Sequence, residues 1–384
     1  MNQLELAKLI AESMGYNPDT GAPEWHTILP DDVRSHLWDM GWRSIRFTDT
    51  DRARRCPAQL RFHLDSARGG PLTRGYEKQA KPAMMYGGSV FHKAFELPVS
   101  SVSNTASFWR ACMEQVDEEH HGERYVMPDG EPIGNEVKWL LAQRMVRNLP
   151  GTNMAQIVKD LRKEIDDTGW VIVDQEVRVN IKEGARGGGG SELLTFTGTL
   201  DLRLELGGDA AEWGHGGNPP RAILDTKSSG LWDPIIRPEV RKSVKAQSFT
   251  RDQIASHRQL IHYAWLSKMH DGWEPDFIGL ALPTNLIPLQ RNTRTKSKGD
   301  RRGLPIIMAH VKSVAGDHYI DAYQNDLIGM LTMWTRGGWP RLRPATFGTP
   351  DCPGCSFFKA CMSDRARAMS VAGGDALTSM FKGM

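Results

Sequence analysis

From about residue 170 the hydrophobic period of this chain shortens from that of a helix to that of a strand, and this change constrains the fold most. Val171 to Ile181 alternates apolar and polar residues, Leu193 to Leu206 does so more loosely, and residues 221 to 228 form a third short run. Phe277 to Leu282 and Ile306 to His310 read as further strands. Helical patterns lie on both sides: two or three helices over 105 to 165, one over Arg251 to His270, and one over 317 to 336. Strands interleaved with helices predict an α/β fold. The acids on these strands are placed to act together. Gly198-Thr199-Leu200-Asp201 lies in the second run, and Ile223-Leu224-Asp225-Thr226-Lys227 makes up most of the third. Residues i and i+2 of a strand share a face, so Asp225 and Lys227 project together. Asp201, on the neighbouring run, can bring a second carboxylate to that edge. Two carboxylates can hold a hard divalent cation, and an ammonium beside them can orient an attacking water or offset charge developing on a phosphate.

Other segments narrow the reading. In Tyr86-Gly87-Gly88-Ser89-Val90-Phe91-His92 the glycine pair precedes a helical pattern, which predicts Ser89 as a cap and His92 in the first turn. Gln259 and Tyr263 are one helical turn apart and share a face. Gly184 to Ser191 lacks the Gly-Lys-Ser/Thr ending of a phosphate-cradling loop and reads as a solvated hairpin connection. Residues 1 to 50 read as a helical lead-in with a helix starting near Pro30-Asp31-Asp32.

Composition excludes several classes. The 384 residues carry 48 basic and 46 acidic side chains, a net charge of +2, so bulk charge gives no argument for nucleic-acid binding. Local clusters do: Arg291, Arg294, Lys296, Lys298, Arg301 and Arg302 crowd one glycine-containing stretch, and Arg237, Arg241, Lys242 and Lys245 follow the Asp-x-Lys run. Beside a phosphate-cleaving site such runs are expected phosphate contacts, with strong salt dependence. Some of the 12 tryptophans can stack on unpaired bases. No stretch approaches the ~18 consecutive apolar residues of a membrane span. The first fifteen residues, acid-bearing and without a basic start, read as a short amphipathic helix, so a cytoplasmic protein is expected.

Of 5 cysteines, Cys352, Cys355 and Cys361 form a Cys-x2-Cys-x5-Cys array, Cys56 lies far upstream and Cys112 sits in a helical pattern. An odd count without an export signal argues against a disulfide framework. Clustered thiolates at turn spacing suit zinc or an iron–sulfur cluster, with Cys56 as the fourth ligand in either case.

Taken in order, these elements resemble a RecB-like nuclease of the PD-(D/E)xK superfamily, in its iron–sulfur branch. That branch includes the fourth CRISPR-associated protein family, AddB-type nuclease domains and phage-encoded exonucleases. The resemblance rests on an early Cys, Gly-Gly-x-x-x-His, a strand Glu, Gly-x-x-Asp, Asp-x-Lys, Gln-x3-Tyr and the terminal Cys array, over roughly residues 50 to 365. It implies a restriction-endonuclease-like core, a mixed central sheet flanked by helices, in one nuclease domain over 51 to 365. Within it, 98 to 165 would be a helical insertion, 166 to 345 the catalytic core, and Cys56 with 346 to 365 an iron–sulfur element; 366 to 384 would be a tail. The resemblance further implies His92, Asp201, Asp225 and the Thr226 carbonyl as ligands of manganese or magnesium, and Lys227 as the catalytic lysine. Glu176 would hydrogen-bond within the site rather than touch metal, and Gln259 and Tyr263 would brace the site or contact DNA. Cys56, Cys352, Cys355 and Cys361 would hold a [4Fe–4S] cluster. The implied activity is hydrolysis of DNA, single-stranded and from an end, in recombination, repair or replication in a bacterial or phage-infected cell. A flap-trimming endonuclease with the same site, and a DNA-binding scaffold subunit of a helicase or integrase complex, are the alternatives.

Overall fold

The computed structural model of the chain describes residues 25–26, 28–39, 42–55, 60, 62–63, 80–143, 153–183, 194–208, 218–232, 249–286, 304–311 and 318–336. Along the chain these residues form β1 (Trp25–His26), α1 (Asp31–Asp39), β2 (Ser44–Arg46), α2 (Phe47–Arg55), β3 (Lys81–Pro82), α3 (Ala83–Glu96), α4 (Ala106–Glu119), β4 (Tyr125–Val126), α5 (Asn135–Gln143), α6 (Met154–Asp167), β5 (Trp170–Glu183), β6 (Leu194–Leu206), β7 (Arg221–Thr226), α7 (Arg251–Ala255), α8 (Arg258–Asp271), β8 (Phe277–Ala281), β9 (Ile306–His310) and α9 (Tyr319–Arg336). The architecture is mixed α/β, with a mixed sheet flanked by helices. No described helix is long and apolar enough to cross a membrane.

The chain divides into two compact units. One comprises Met1–Gln79, Asn180–Thr197 and Gln324–Met384; the other comprises Ala80–Val179 and Gly198–Tyr323. In the first, β1 pairs parallel with the far end of β5 and β2 pairs parallel with the start of β6, Ile45 opposite Phe196. A hydrogen bond between the Ser44 and Thr197 hydroxyls, 3.0 Å apart, ties that second pairing. The expected helical lead-in is therefore partly β: Ser44–Arg46 is a strand, and only α1 and α2 are helical there among the described residues. The first fifteen residues lie outside the described part.

The second unit carries the site. Its sheet runs β5–β6–β7–β8–β9, with β6 antiparallel to β7, β7 parallel to β8 and β8 antiparallel to β9. In β6 and β7 the even-numbered Leu202, Leu204, Ala222 and Leu224 point into one core, shared with Tyr86, Val90 and Phe91 of α3, Trp109 of α4, Leu141 of α5 and Val158, Leu161 and Ile165 of α6. Period-2 alternation assigns the odd residues to the opposite face, where Arg203 bonds Ser267 of α8 at 2.8 Å. Fully burying each such aliphatic side chain stabilises by roughly 1.5–3 kcal/mol, so this face fixes the strand register on which the acids depend.

Two helix boundaries differ from expectation, each for a local reason. Helix α3 begins at Ala83, behind Pro82, so Ser89 is mid-helix: its hydroxyl donates to the Met85 carbonyl at 3.2 Å instead of capping, and His92 lies well past the first turn. Gly87 reads as a helix break but serves packing; a Cβ there would come within 2.4 Å of the Trp232 indole. The single helix expected over Arg251 to His270 is two. Thr250 and Gln253 form a reciprocal capping box that starts α7, and His257, extended at φ −73° and ψ 105°, begins α8 afresh.

Candidate metal centre

The register of β6 and β7 pairs Leu202 with Leu224 and Arg203 with Ile223; Asp201 and Asp225 each stand one residue beyond its last pair, where the charge of Asp225 acts on Asp201. Like charges brought close on adjacent strands are destabilising unless something compensates them. One carboxylate is partly compensated by backbone: Thr226 N–H donates to Asp201 Oδ2 at 2.6 Å. Lys227 follows the strand, and its own N–H donates to the Ala281 carbonyl at 2.9 Å, so β8 fixes the backbone that carries the lysine.

Helix α3 delivers the imidazole. His92 Nδ1 lies 3.1 Å from Glu176 Oε1 and 3.8 Å from Asp201 Oδ2. One potential ligand atom from each of His92, Glu176 and Asp201 falls within 4.8 Å of the others. Burial works to lower the His92 pKa, but the Asp201, Glu176 and Asp225 carboxylates outweigh it and raise it to about 9. Burial also pushes the Asp201 carboxyl well above the usual carboxylate range, with Asp225 and Glu176 adding to it, against the opposing pull of His92 and the Thr226 amide. Without a metal, then, the cluster holds protons that a divalent cation would displace.

Glu176 has the one positive φ, +49°, among the described non-glycine residues. A left-handed residue within a strand is the mark of a bulge. The burial of β5 slips accordingly: Trp170 faces inward on even numbering and Val179 on odd. Such a conformation costs of order 1–3 kcal/mol and persists where its surroundings over-determine it. At this left-handed residue the Glu176 side chain lies 3.1 Å from His92 Nδ1.

A hydrogen-bonded chain runs from Asp225 through α8. Gln259 Nε2 donates to Asp225 Oδ1 at 3.2 Å and to the Tyr263 hydroxyl at 2.8 Å, while Gln259 Oε1 accepts from Lys227 Nζ at 3.0 Å. Lys227 Nζ also stands 2.5 Å from Asp225 Oδ2, yet this buried oxygen makes no bond of hydrogen-bonding geometry. The Asp225 side chain is 5% exposed and that of Lys227 35%, so the ammonium is the solvent-facing member of the pair. Burial, with Asp225 nearby, raises the Tyr263 pKa, so the phenol stays protonated. Gly198 explains how close α8 comes: a Cβ there would lie 2.6 Å from Leu266 and 3.4 Å from Tyr263.

The structure thus brings together His92, Glu176, Asp201, Asp225, Lys227, Gln259 and Tyr263 in one unit; Thr226 contributes its N–H to Asp201. Cys56, Cys352, Cys355 and Cys361 lie outside the described residues. So do Arg237, Arg241, Lys242, Lys245, Arg291, Arg294, Lys296, Lys298, Arg301 and Arg302. Cys112 is a buried free thiol whose pKa burial pushes up to about 11, so it is an inert core residue.

Sequence reasoning missed two neighbours. His257 has its pKa lowered by burial and then by Lys227, against Asp225, and is neutral at ordinary pH; nothing near it in sequence marks it. Arg162 is bonded beside both His92 and Glu176, and a signal existed: it lies one turn from the buried Val158 and Ile165, a cation on an apolar stripe.

No protein-family model matches this chain, and comparison with curated proteins gives no match. Function therefore rests on the chemistry of the site.

Proposed function

We propose that this chain is a divalent-metal-dependent deoxyribonuclease of PD-(D/E)xK type that hydrolyses phosphodiester bonds of single-stranded DNA from an end. The observation that carries this reading is the convergence of His92, Glu176 and Asp201, with ligand atoms within 4.8 Å of one another, beside the Asp225–Lys227 pair. The donor set fits a divalent cation. The charge of Asp225 acts on the buried Asp201, and Asp225 Oδ2 has the single Lys227 ammonium beside it at 2.5 Å. A divalent cation would offset the charge that the clustered carboxylates hold in excess of that one lysine. An imidazole among carboxylates favours manganese over magnesium, which prefers oxygen throughout.

When bound, the metal would act as a Lewis acid and lower the pKa of a coordinated water. His92, Asp201 and Asp225 would hold it, with Glu176 orienting the imidazole through the 3.1 Å contact or joining the ligands. Lys227 is placed to orient the attacking water and to offset charge developing on the phosphate. Gln259 fixes Lys227 and Asp225 relative to each other, and Tyr263 fixes Gln259. The same reading assigns Cys56, Cys352, Cys355 and Cys361 a structural [4Fe–4S] cluster, with zinc as the alternative; a brown protein with a visible absorption band supports iron. A helicase or recombination protein is the partner class such a nuclease would serve.

The test is cleavage of end-labelled linear and circular single-stranded DNA in manganese, with Lys227→Ala as control. Loss of linear DNA with intact circles supports the exonuclease. Cutting of both makes the enzyme an endonuclease. No Lys227-dependent cutting of either sinks the nuclease reading and favours a DNA-binding scaffold.

A further inference from the structure

We propose that Arg162 is a positioning residue for the metal centre, clamping the end of the His92 helix to the bulged stretch of β5 that presents Glu176. This inference rests on the metal centre argued above. Arg162 Nη2 donates to the carbonyls of Phe95 and Leu97, the latter at 3.2 Å, and to Gln175 Oε1 at 3.0 Å. Phe95 and Leu97 belong to the C-terminal end of α3, where carbonyls lack intrahelical partners and a cation is favoured. The guanidinium also lies over the Phe95 ring, 4.7 Å from its centroid. Gln175 immediately precedes Glu176 with its φ of +49°.

One group thus holds two segments. On one side it grips α3 three residues beyond His92; on the other it grips β5 one residue before Glu176. The His92–Glu176 contact of 3.1 Å spans the two gripped segments. No acid is hydrogen-bonded to this guanidinium among the described residues: its three acceptors are two carbonyls and an amide. All three bonds leave from one nitrogen, Nη2, while the flat guanidinium stacks on the Phe95 ring, a contact that an ammonium makes less well. Groups that hydrogen-bond a metal ligand directly typically change metal affinity about 10–100-fold when lost; Arg162 acts one step further out, through the Phe95 and Leu97 carbonyls and the Gln175 side chain, so a smaller loss is expected.

The experiment uses the full chain, with Mn2+ affinity read from the electron paramagnetic resonance of free Mn2+ and the thermal midpoint of the metal-free protein measured alongside. Arg162→Met is expected to weaken Mn2+ binding several-fold, up to about tenfold, and Arg162→Lys, which keeps a donor but loses the stacking on Phe95, to recover only part of the loss. Gln175→Leu releases the strand side alone and keeps the fold testable if Arg162→Met does not fold. It is expected to weaken Mn2+ binding several-fold at an unchanged midpoint, and to raise the Mn2+ concentration for half-maximal DNA cleavage by the same factor. A folded Gln175→Leu with wild-type Mn2+ affinity overturns the proposal, as does an Arg162→Met protein that loses midpoint but keeps affinity. If the wild-type chain binds Mn2+ but cuts no DNA, the nuclease reading fails while the affinity shifts still decide the role of Arg162. If the wild-type chain binds no Mn2+, both fall.

Discussion

Adjacent glycines on α3 are predicted to respond to alanine with opposite signs. At Gly87 the added Cβ would lie 2.4, 2.5 and 2.8 Å from three atoms of the Trp232 indole. Ordinary contact begins about 1 Å further out, and a fused ring cannot bend away at its tip. It cannot swing aside cheaply either, because Trp232 Nε1 donates to the Leu141 carbonyl at 2.8 Å in a fully buried setting. Overpacking costs roughly 1–3 kcal/mol, and stranding the buried indole N–H adds about 1–3 kcal/mol. The helix gains about 1 kcal/mol from replacing glycine. The net expectation for Gly87→Ala is a loss of about 1–5 kcal/mol. At Gly88 the nearest atom is Ser228 Oγ at 3.7 Å, an ordinary contact, so Gly88→Ala should be neutral or stabilising by up to about 1 kcal/mol. Urea unfolding of the two variants beside wild type measures both. Because α3 carries His92, Gly87→Ala should also weaken Mn2+ binding. A Gly87→Ala protein as stable as Gly88→Ala would refute the packing argument.

Three further outcomes are expected. With His92 raised to about 9, the metal-free cluster is protonated near pH 7.5, so Mn2+ binding should release at least one proton; titration calorimetry in PIPES and in Tris, corrected for Mn2+–buffer heats, should give buffer-dependent heats, and identical heats would contradict it. In metal-free protein the same raised pKa contributes stability that is full below the ordinary value of about 6.5 and lost as pH rises through about 9, so the Mn2+-induced rise in thermal midpoint should grow across that window. Arg203 is buried and paired with Asp271 at 2.6 Å, with Asp174 as a longer partner at 3.8 Å. Asp271→Ala should therefore cost about 3 kcal/mol in urea unfolding while leaving Mn2+ affinity within twofold.

The strands and the acids on them were legible because short apolar runs report burial: β6 alternates loosely, β7 is buried almost throughout, both follow the expected runs, and the Leu202–Leu224 pair leaves Asp201 and Asp225 each one residue beyond it. Glu176 was legible as a strand acid but not as a bulge, since nothing in Asp174-Gln175-Glu176 requires a left-handed residue; only the pull of its neighbours does. The start of α3 was misplaced because Gly87 and Gly88 carry a propensity signal for a break, whereas the indole packed on Gly87 is a tertiary fact. The break before α8 escaped for a similar reason. Apolar Ile254 and Leu260 fit one helix or two, and the capping box at Thr250 decides it only when its bonds are seen. Arg162 was marked only as a cation on the apolar stripe of α6; what it holds became legible with its acceptors.

The most direct test of the metal centre is anomalous diffraction at the manganese edge from crystals soaked in Mn2+. The account predicts a peak within bonding distance of His92 and Asp201, reached also by Asp225 or Glu176, and its loss in Asp201→Asn. Bound manganese at other positions with none among these residues, or no bound manganese at all, would contradict it.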